Sequence, residues 1–357
     1  MNWGHNDLQK SGRVQWSAPS NIAIVKYWGK KGIQQPLNPS VSFSLNNART
    51  ITSVDFEYKG MSNHPSLEVF LDGVPMPSFK PKIETFLLHL SSFLPWVNHF
   101  YFRIDTHNTF PHSSGIASSA SGMACLAFCL AEIGTLVEPS APPLSTLLVS
   151  GMARLGSGSA CRSVYGGWNL WGVTESMSAS SDGYAVPITN VSAGFQNIQD
   201  TILILGSGQK RMSSSAGHSL MNTHPYRENR LSQARRHTSL LLEALAQNNW
   251  ALFGEIAEME ALSLHALMVN SHEGYTLLSD ASWEALYRVR EYRKQSGIPL
   301  YFTFDAGPNM HLLFPKESQP EVSSFITNRL ASLCENNLFL EDGIGAGPKK
   351  LNTKSGF

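Results

Sequence analysis

The sequence predicts an α+β protein, and three observations carry that prediction. Strand-like alternation dominates the first part of the chain, at residues 22–25, 38–45, 51–58, 67–71 and 100–105. Helical spacing dominates after residue 118, apart from short apolar runs at 201–205, 301–304 and 310–314. Between the two regimes lies a loop of mostly Gly, Ser and Ala, residues 110–122, where a strand hands over to a helix. Strands first and helices later fit an α+β layout, whereas a dinucleotide-binding fold would alternate βαβ units throughout.

The elements follow in order. Residues 1–17 are polar and carry His5, Asp7, Lys10 and Arg13; they lack the apolar stretch of a signal peptide, and the folded part is read as starting at Ser17. Ile22, Ile24 and Val25 form a short strand that turns at Gly29. Asp72-Gly73 between apolar segments reads as a hairpin turn. Ile83, Phe86, Leu87, Leu90 and Phe93 share one helical face over residues 82–93. Residues 124–133 are apolar on most faces and predict a buried helix. Pro139, Pro142 and Pro143 interrupt the chain before a helix at 144–155. A domain boundary falls near residues 190–200, giving an N-terminal domain over 1–195 and a C-terminal domain over 196–357. Long helical patterns then run over 227–247, 250–267 and 282–295; His265 lies on the second and reads as a satisfied structural histidine.

Four places carry chemistry. The loop 110–122 contains no Asp, Glu, Lys or Arg. Its amides and hydroxyls can converge beside a helix N-terminus, where the macrodipole favours an anion, so it is either a phosphate cradle or a flexible Ser-rich loop. Lys26 ends a buried strand, with Lys30 and Lys31 close behind; it either meets an anionic ligand or belongs to a solvated basic turn. Arg162 stands alone among small residues in GSGSACRSVYGGW, residues 156–168, a setting that turns a planar guanidinium toward a pocket rather than the surface. Asp305 closes the strand 301–304 just before a Gly-Pro turn, and either caps that turn or does chemistry.

Composition narrows the function. The 27 basic and 27 acidic residues balance, which argues against nucleic acid as a partner but leaves room for a local basic pocket. No uninterrupted apolar run approaches the roughly 20 residues of a membrane span. Cys125, Cys129, Cys161 and Cys334 show no zinc-type pairing, and Cys125 and Cys129 read as reduced core residues one helical turn apart. These features together predict a soluble cytoplasmic protein.

Four motifs stand in order along the chain: APSNIAIVKYWGKK at 18–31, FPHSSGIASSASG at 110–122, GSGSACRSVYGGW at 156–168 and FDAGPN at 304–309. On these the chain resembles the GHMP kinase superfamily and, within it, the diphosphomevalonate decarboxylase family. The resemblance implies a ribosomal-protein-S5-like N-terminal domain and a ferredoxin-like C-terminal domain, with the active site in the cleft between them. It implies ATP and Mg2+, and phosphorylation of the tertiary 3-hydroxyl of (R)-5-diphosphomevalonate followed by loss of phosphate and carbon dioxide. By the same resemblance Asp305 lies beside the 3-hydroxyl, Arg162 holds the substrate carboxylate and Lys26 supplies charge near the transferring phosphoryl group. Tyr27, Lys30, Ser157 and Ser159 bind the diphosphate, while Ser114, Gly115, Ala117, Ser118, Ser119 and Ser121 cradle ATP. Ser119 and Asp305 are the candidates for metal contact, and Ser213 and Ser214 are weak matches to a further Ser/Gly loop. A homodimer is implied as well.

Two departures stand out. The cradle has His112, Ser113, Ser114 and Ser121 where the family more often has smaller residues, and Lys80 and Lys82 occupy a region where better-known members carry an arginine near the diphosphate. Sibling readings are a decarboxylase of the monophosphate or a kinase that stops at the 3-phosphate. A reading from another class is a non-catalytic metabolite-binding protein.

Overall fold

A computed structural model describes residues 9–111, 116–206 and 214–351. The first layer contains β1 (Ser11–Val25), a small ladder of β2 (Lys30–Lys31) and β3 (Gln35–Pro36), β4 (Ser40–Tyr58), β5 (Ser66–Leu71), β6 (Val74–Pro75) and α1 (Lys80–Leu90). It continues with β7 (Phe100–Asn108), α2 (Ser118–Val137), α3 (Thr146–Gly156), β8 (Trp168–Trp171) and β9 (Ala185–Pro187). The second layer has β10 (Gln199–Leu203), α4 (Ser214–Leu220), α5 (Arg227–Gln247), α6 (Trp250–Val269) and α7 (Asp280–Ser296). It ends with β11 (Tyr301–Phe304), β12 (Met310–Phe314), α8 (Gln319–Phe325) and β13 (Phe339–Gly343), after which β14 (Lys349–Lys350) returns to the first layer.

The large sheet runs β14-β1-β4-β7-β5-β6, with β8 also pairing β4 and β9 pairing β8. The smaller sheet is antiparallel in the order β11-β12-β10-β13, the split arrangement of ferredoxin-like folds. Asp72 and Gly73, both at positive φ, make the tight hairpin between β5 and β6.

β1 begins at Ser11, not at Ser17, because the alternation of Val14 with polar neighbours already pairs with β4 across Ser11↔Glu57 to Pro19↔Arg49. The runs at 38–45 and 51–58 are one strand rather than two. Residues 45–48 of β4 bulge out of register opposite Pro19–Asn21, and the Asp342 carboxylate from β13 takes over as acceptor. It receives the backbone N–H of Asn46 at 2.8 Å, Asn47 at 2.9 Å and Ala48 at 2.7 Å. Gly345 lies so close to this bulge that a Cβ would sit 2.4 Å from Asn46 Cα.

Helices α1, α2 and α3 cover one face of the large sheet through Leu87, Trp96, Phe102, Leu126, Leu130 and Val149. Among the described residues α2 is the one helix long and apolar enough to span a membrane, but it is packed inside this layer. Cys125 and Cys129 are buried on it as free thiols. A second core joins the two layers: Ile24, Val41 and Phe43 of the large sheet meet Ile202 of the smaller one and Leu241 and Phe253 of α5 and α6. The rings of Phe195 and Trp250 stack there at 4.2 Å between centroids, and Trp168 meets Phe253 edge-on at 6.1 Å. This junction brings the end of β1 against the end of β11.

Asp342→Ala removes the side-chain acceptor of three bulge amides, so it is expected to lower stability by about 2 kcal/mol. A urea midpoint unchanged from wild type overturns that role.

Candidate active site

Lys26 follows the buried residues of β1 directly and is 2% exposed. Its ammonium donates to the Ala23 carbonyl at 2.5 Å and to Asp305 Oδ1 at 2.8 Å. Asp305 arrives from the second sheet, just past β11, and remains 28% exposed. Burial pushes the Lys26 pKa below its usual value, with Asp305 opposing. Burial also pushes Asp305 upward, but Lys26, then His311 and Arg162, outweigh it and hold the carboxyl below the ordinary range. The Asp305 carboxyl is therefore ionised at neutral pH, with one of its oxygens free of Lys26.

Arg162 lies in the short helical turn Gly158–Val164 after α3 and is 3% exposed. Its Nε donates to Asn21 Oδ1 at 3.2 Å and its Nη1 donates to the Ser40 hydroxyl. Asn21 is itself oriented by donating to Ser163 Oγ at 2.8 Å. Among the described residues no acidic side chain lies within ion-pair distance of Arg162. A buried guanidinium held in place by neutral groups is a receptor for an anion.

Beside it, the Tyr27 hydroxyl is buried without a hydrogen-bond partner among the described residues, and its ring packs on Trp171 and His218. Gly158 makes this contact possible, since a Cβ there would lie 2.9 Å from the Tyr27 hydroxyl. Lys31 turns away to Asp182, and Lys80 pairs with Glu84. Burial pushes the Lys30 pKa down, and burial and then the Lys30 charge push the Lys82 pKa down.

The cradle is described only in part; Ser114, Gly115 and Ser213 lie outside the described residues, as does the Ser214 side chain. Ala117 takes a left-handed conformation at the start of α2, and Ser20 Oγ ties the loop exit by donating to the Ile116 carbonyl at 2.6 Å. Ser118 and Ser119 occupy the first turn of the helix, which has no acidic residue. Ser119 Oγ lies 3.3 Å from Ser157 Oγ, so this loop meets the 156–168 loop. Ser159 contributes its carbonyl to Asn21 at 3.4 Å. Ser121 requires correction: its hydroxyl is fully buried at 2.6 Å from Thr50 Oγ and is not available to a phosphate. A cavity of about 270 Å³ adjoins the helix start, with Val69, Leu71 and Phe79 on one side and Asn108, Ser118 and Ser119 on another.

Several contributors were not singled out from the sequence. Asn21 lies inside the motif at 18–31 yet carried no assignment. His218 accepts the Gly29 N–H on Nδ1 at 2.9 Å, which leaves the proton on Nε2, and burial with the Lys30 charge lowers its pKa to about 3. Glu260 is fully buried; burial pushes its carboxyl up, but Arg230 and His237 bring it down to about 2. Its signal was a carboxylate set in the apolar stripe of α6. His265 is not the satisfied histidine expected: its Nε2 donates to the Asp305 carbonyl at 3.1 Å while its Nδ1 is buried without a partner among the described residues.

Magnesium in phosphoryl-transfer sites is held by one or two carboxylates and by substrate phosphates, keeping several waters. The free Asp305 oxygen and the Ser119 hydroxyl fit such a sparse donor set, and among the described residues no denser cluster of His, Cys, Asp and Glu exists.

Comparison with known proteins agrees over nearly the whole chain. Residues 18–185 match the diphosphomevalonate decarboxylase-like N-terminal domain and residues 201–345 the mevalonate 5-diphosphate decarboxylase C-terminal domain. The diphosphomevalonate decarboxylase of Debaryomyces hansenii is 30% identical, covering 95% of this chain and 86% of its own length. That of Saccharomyces cerevisiae is 28% identical over 89% of this chain and 81% of its own. Mevalonate diphosphate decarboxylase from Staphylococcus aureus superposes with a TM-score of 0.82 at 28% identity, covering 96% of this chain and 98% of its own. The structure of MDDEF in complex with MVAPP, AMPPCP and magnesium superposes at 0.80 with 27% identity, covering 96% and 100%. The chain belongs to the diphosphomevalonate decarboxylase family.

Proposed function

We propose that the protein catalyses ATP-dependent decarboxylation of (R)-5-diphosphomevalonate to isopentenyl diphosphate, ADP, phosphate and carbon dioxide. The observation that carries this reading is the Lys26–Asp305 ion pair beside the buried Arg162, which has no acidic partner among the described residues. A kinase acting on a simple alcohol needs the first; a substrate that must also lose a carboxylate needs the second.

Asp305 accepts the hydrogen bond, and then the proton, of the tertiary 3-hydroxyl as its oxygen attacks the γ-phosphorus of ATP. Lys26 stabilises charge on the transferring phosphoryl group, which needs alignment and electrostatics more than covalent help. Arg162 holds the carboxylate in its planar fork until the C–O bond to phosphate breaks and the C–C bond electrons fill the vacated position. Tyr27, Lys30, Ser157 and Ser159 take the diphosphate, and Lys82 joins them as the cation opposite Lys30. The amides at the start of α2, with Ser118 and Ser119, take the ATP phosphates, and the adjoining cavity is wide and apolar enough for the base. Magnesium, held by Asp305 and Ser119, would neutralise phosphate charge. The division of the chain at residues 195 and 196, a homodimer and a cytoplasmic location belong to the same reading.

Purified protein with ATP-Mg and diphosphomevalonate should release carbon dioxide and phosphate in equal amounts. Release only from the monophosphate moves the substrate to that sibling, and ADP without carbon dioxide makes the protein a kinase. Asp305→Asn is expected to lower kcat by at least ~100-fold while nucleotide binding survives; near-normal turnover removes Asp305 from the chemistry. Because burial lowers the Lys26 pKa, its charge is lost on the alkaline side earlier than for an ordinary lysine. The kcat/KM profile should therefore fall with rising pH at an apparent pKa below the usual 10.5; a limb at or above that value contradicts the assignment. Light scattering should give twice the 39.2 kDa chain mass.

A further inference from the structure

Lys26 and Asp305 come from different sheets and are 279 positions apart in sequence, so no local turn fixes their separation. Both are gripped through their main chains by a single helix. Glu260 on α6 accepts the Lys26 backbone N–H at 2.9 Å. Arg230 on α5 donates to both Glu260 oxygens at 2.6 Å and also to the Lys26 carbonyl at 3.0 Å, while His237 donates to Glu260 from Nδ1 at 2.8 Å. Asn38 adds a second donor to the Lys26 carbonyl at 3.0 Å. Further along α6, His265 donates to the Asp305 carbonyl. The two positions on α6 are about 7.5 Å apart along the helix axis.

Neither contact has the character of simple stabilisation. A buried ion pair is often no more stable than apolar residues of the same volume, so the Glu260–Arg230 pair needs another reason. His265 leaves Nδ1 buried and, among the described residues, without a partner, a cost that a ring present only for packing need not carry. Neither residue bonds to the Lys26 ammonium or the Asp305 carboxylate.

We propose that α6 gauges the reacting pair: Glu260 and His265 are positioning residues that set the distance between Lys26 Nζ and Asp305 Oδ1 by holding the two main chains. The proposal rests on the reading of Lys26 and Asp305 as reacting groups and goes beyond it in naming what spaces them.

The test compares His265→Phe, which removes the donor, with His265→Gln, which retains one, and adds Glu260→Asp, which keeps the charge for Arg230 but draws it back by one methylene. Carbon dioxide release by His265→Phe and Glu260→Asp is expected to fall about 10- to 100-fold in kcat, the scale of a misplacement near 1 Å, with KM for both substrates within about twofold. His265→Gln should recover most of the loss. Crystal structures of the same proteins without substrate should show the Lys26–Asp305 contact opened beyond hydrogen-bonding distance in the first two and closed in the third. Unchanged kcat in His265→Phe, a loss that the glutamine does not recover, or a contact unchanged at 2.8 Å in all variants overturns the gauge. A wild-type protein that does not decarboxylate diphosphomevalonate defeats the functional reading instead, and the measured contact distances then decide the gauge alone.

Discussion

An ammonium group that is 2% exposed cannot keep its charge without a carboxylate, and the Lys26–Asp305 contact supplies one across the junction of two sheets. Much of the architecture serves that meeting. β1 has to end against β11, the aromatic core of Trp168, Phe195, Trp250 and Phe253 has to hold the sheets together, and α5 and α6 have to pack behind. Around the pair the charges do not cancel. Arg230 and Glu260 neutralise one another, but Arg162 has no acid partner among the described residues, and the Lys30 charge bears on Lys82. A chain with balanced overall charge thus concentrates positive potential in one cleft, where an anionic substrate completes it.

On the proposed reading, the helix start of α2 and the charged residues divide the work. Amides and hydroxyls at the helix start are rigid, weak and directional, suited to a nucleotide that must bind and leave. The charges from β1, the 158–164 turn and the end of β11 converge on the same cleft, where they can act on a transition state rather than on nucleotide binding alone. Ser121 illustrates the boundary between the two roles. One helical turn inside α2, it faces Thr50 and serves packing, although its residue type looks like that of its neighbours.

The sequence made the architecture legible wherever periodicity was clean: β11, β12, α5 and the three residues at the heart of the site were visible as pattern or motif. It was less informative where a long-range partner replaced a local one. Asn46 and Asn47 looked like the end of a strand, because the acceptor that keeps them within β4 is Asp342, almost 300 positions away. Pro19 hid the first half of β1 for a related reason, lying beside the register shift that bends the strand. Glu260, Arg230 and His265 were ordinary helix residues in sequence, since their importance lies in main-chain groups of other segments. Motifs show which side chains react; they carry little about what holds those side chains at a fixed distance.

The pairing of β14 with β1 has a consequence for how the chain is made. Trp16 and Ser17 take their outer partners from Lys350 and Lys349, and Lys350 also reaches Glu132 on α2. During synthesis that part of the first strand emerges early but keeps an open edge until the last strand appears, about 15 s to a minute later at ordinary elongation rates. An open edge is a template for pairing with other chains. The nascent protein therefore passes through an interval in which its largest sheet is nearly complete yet still able to recruit a stranger.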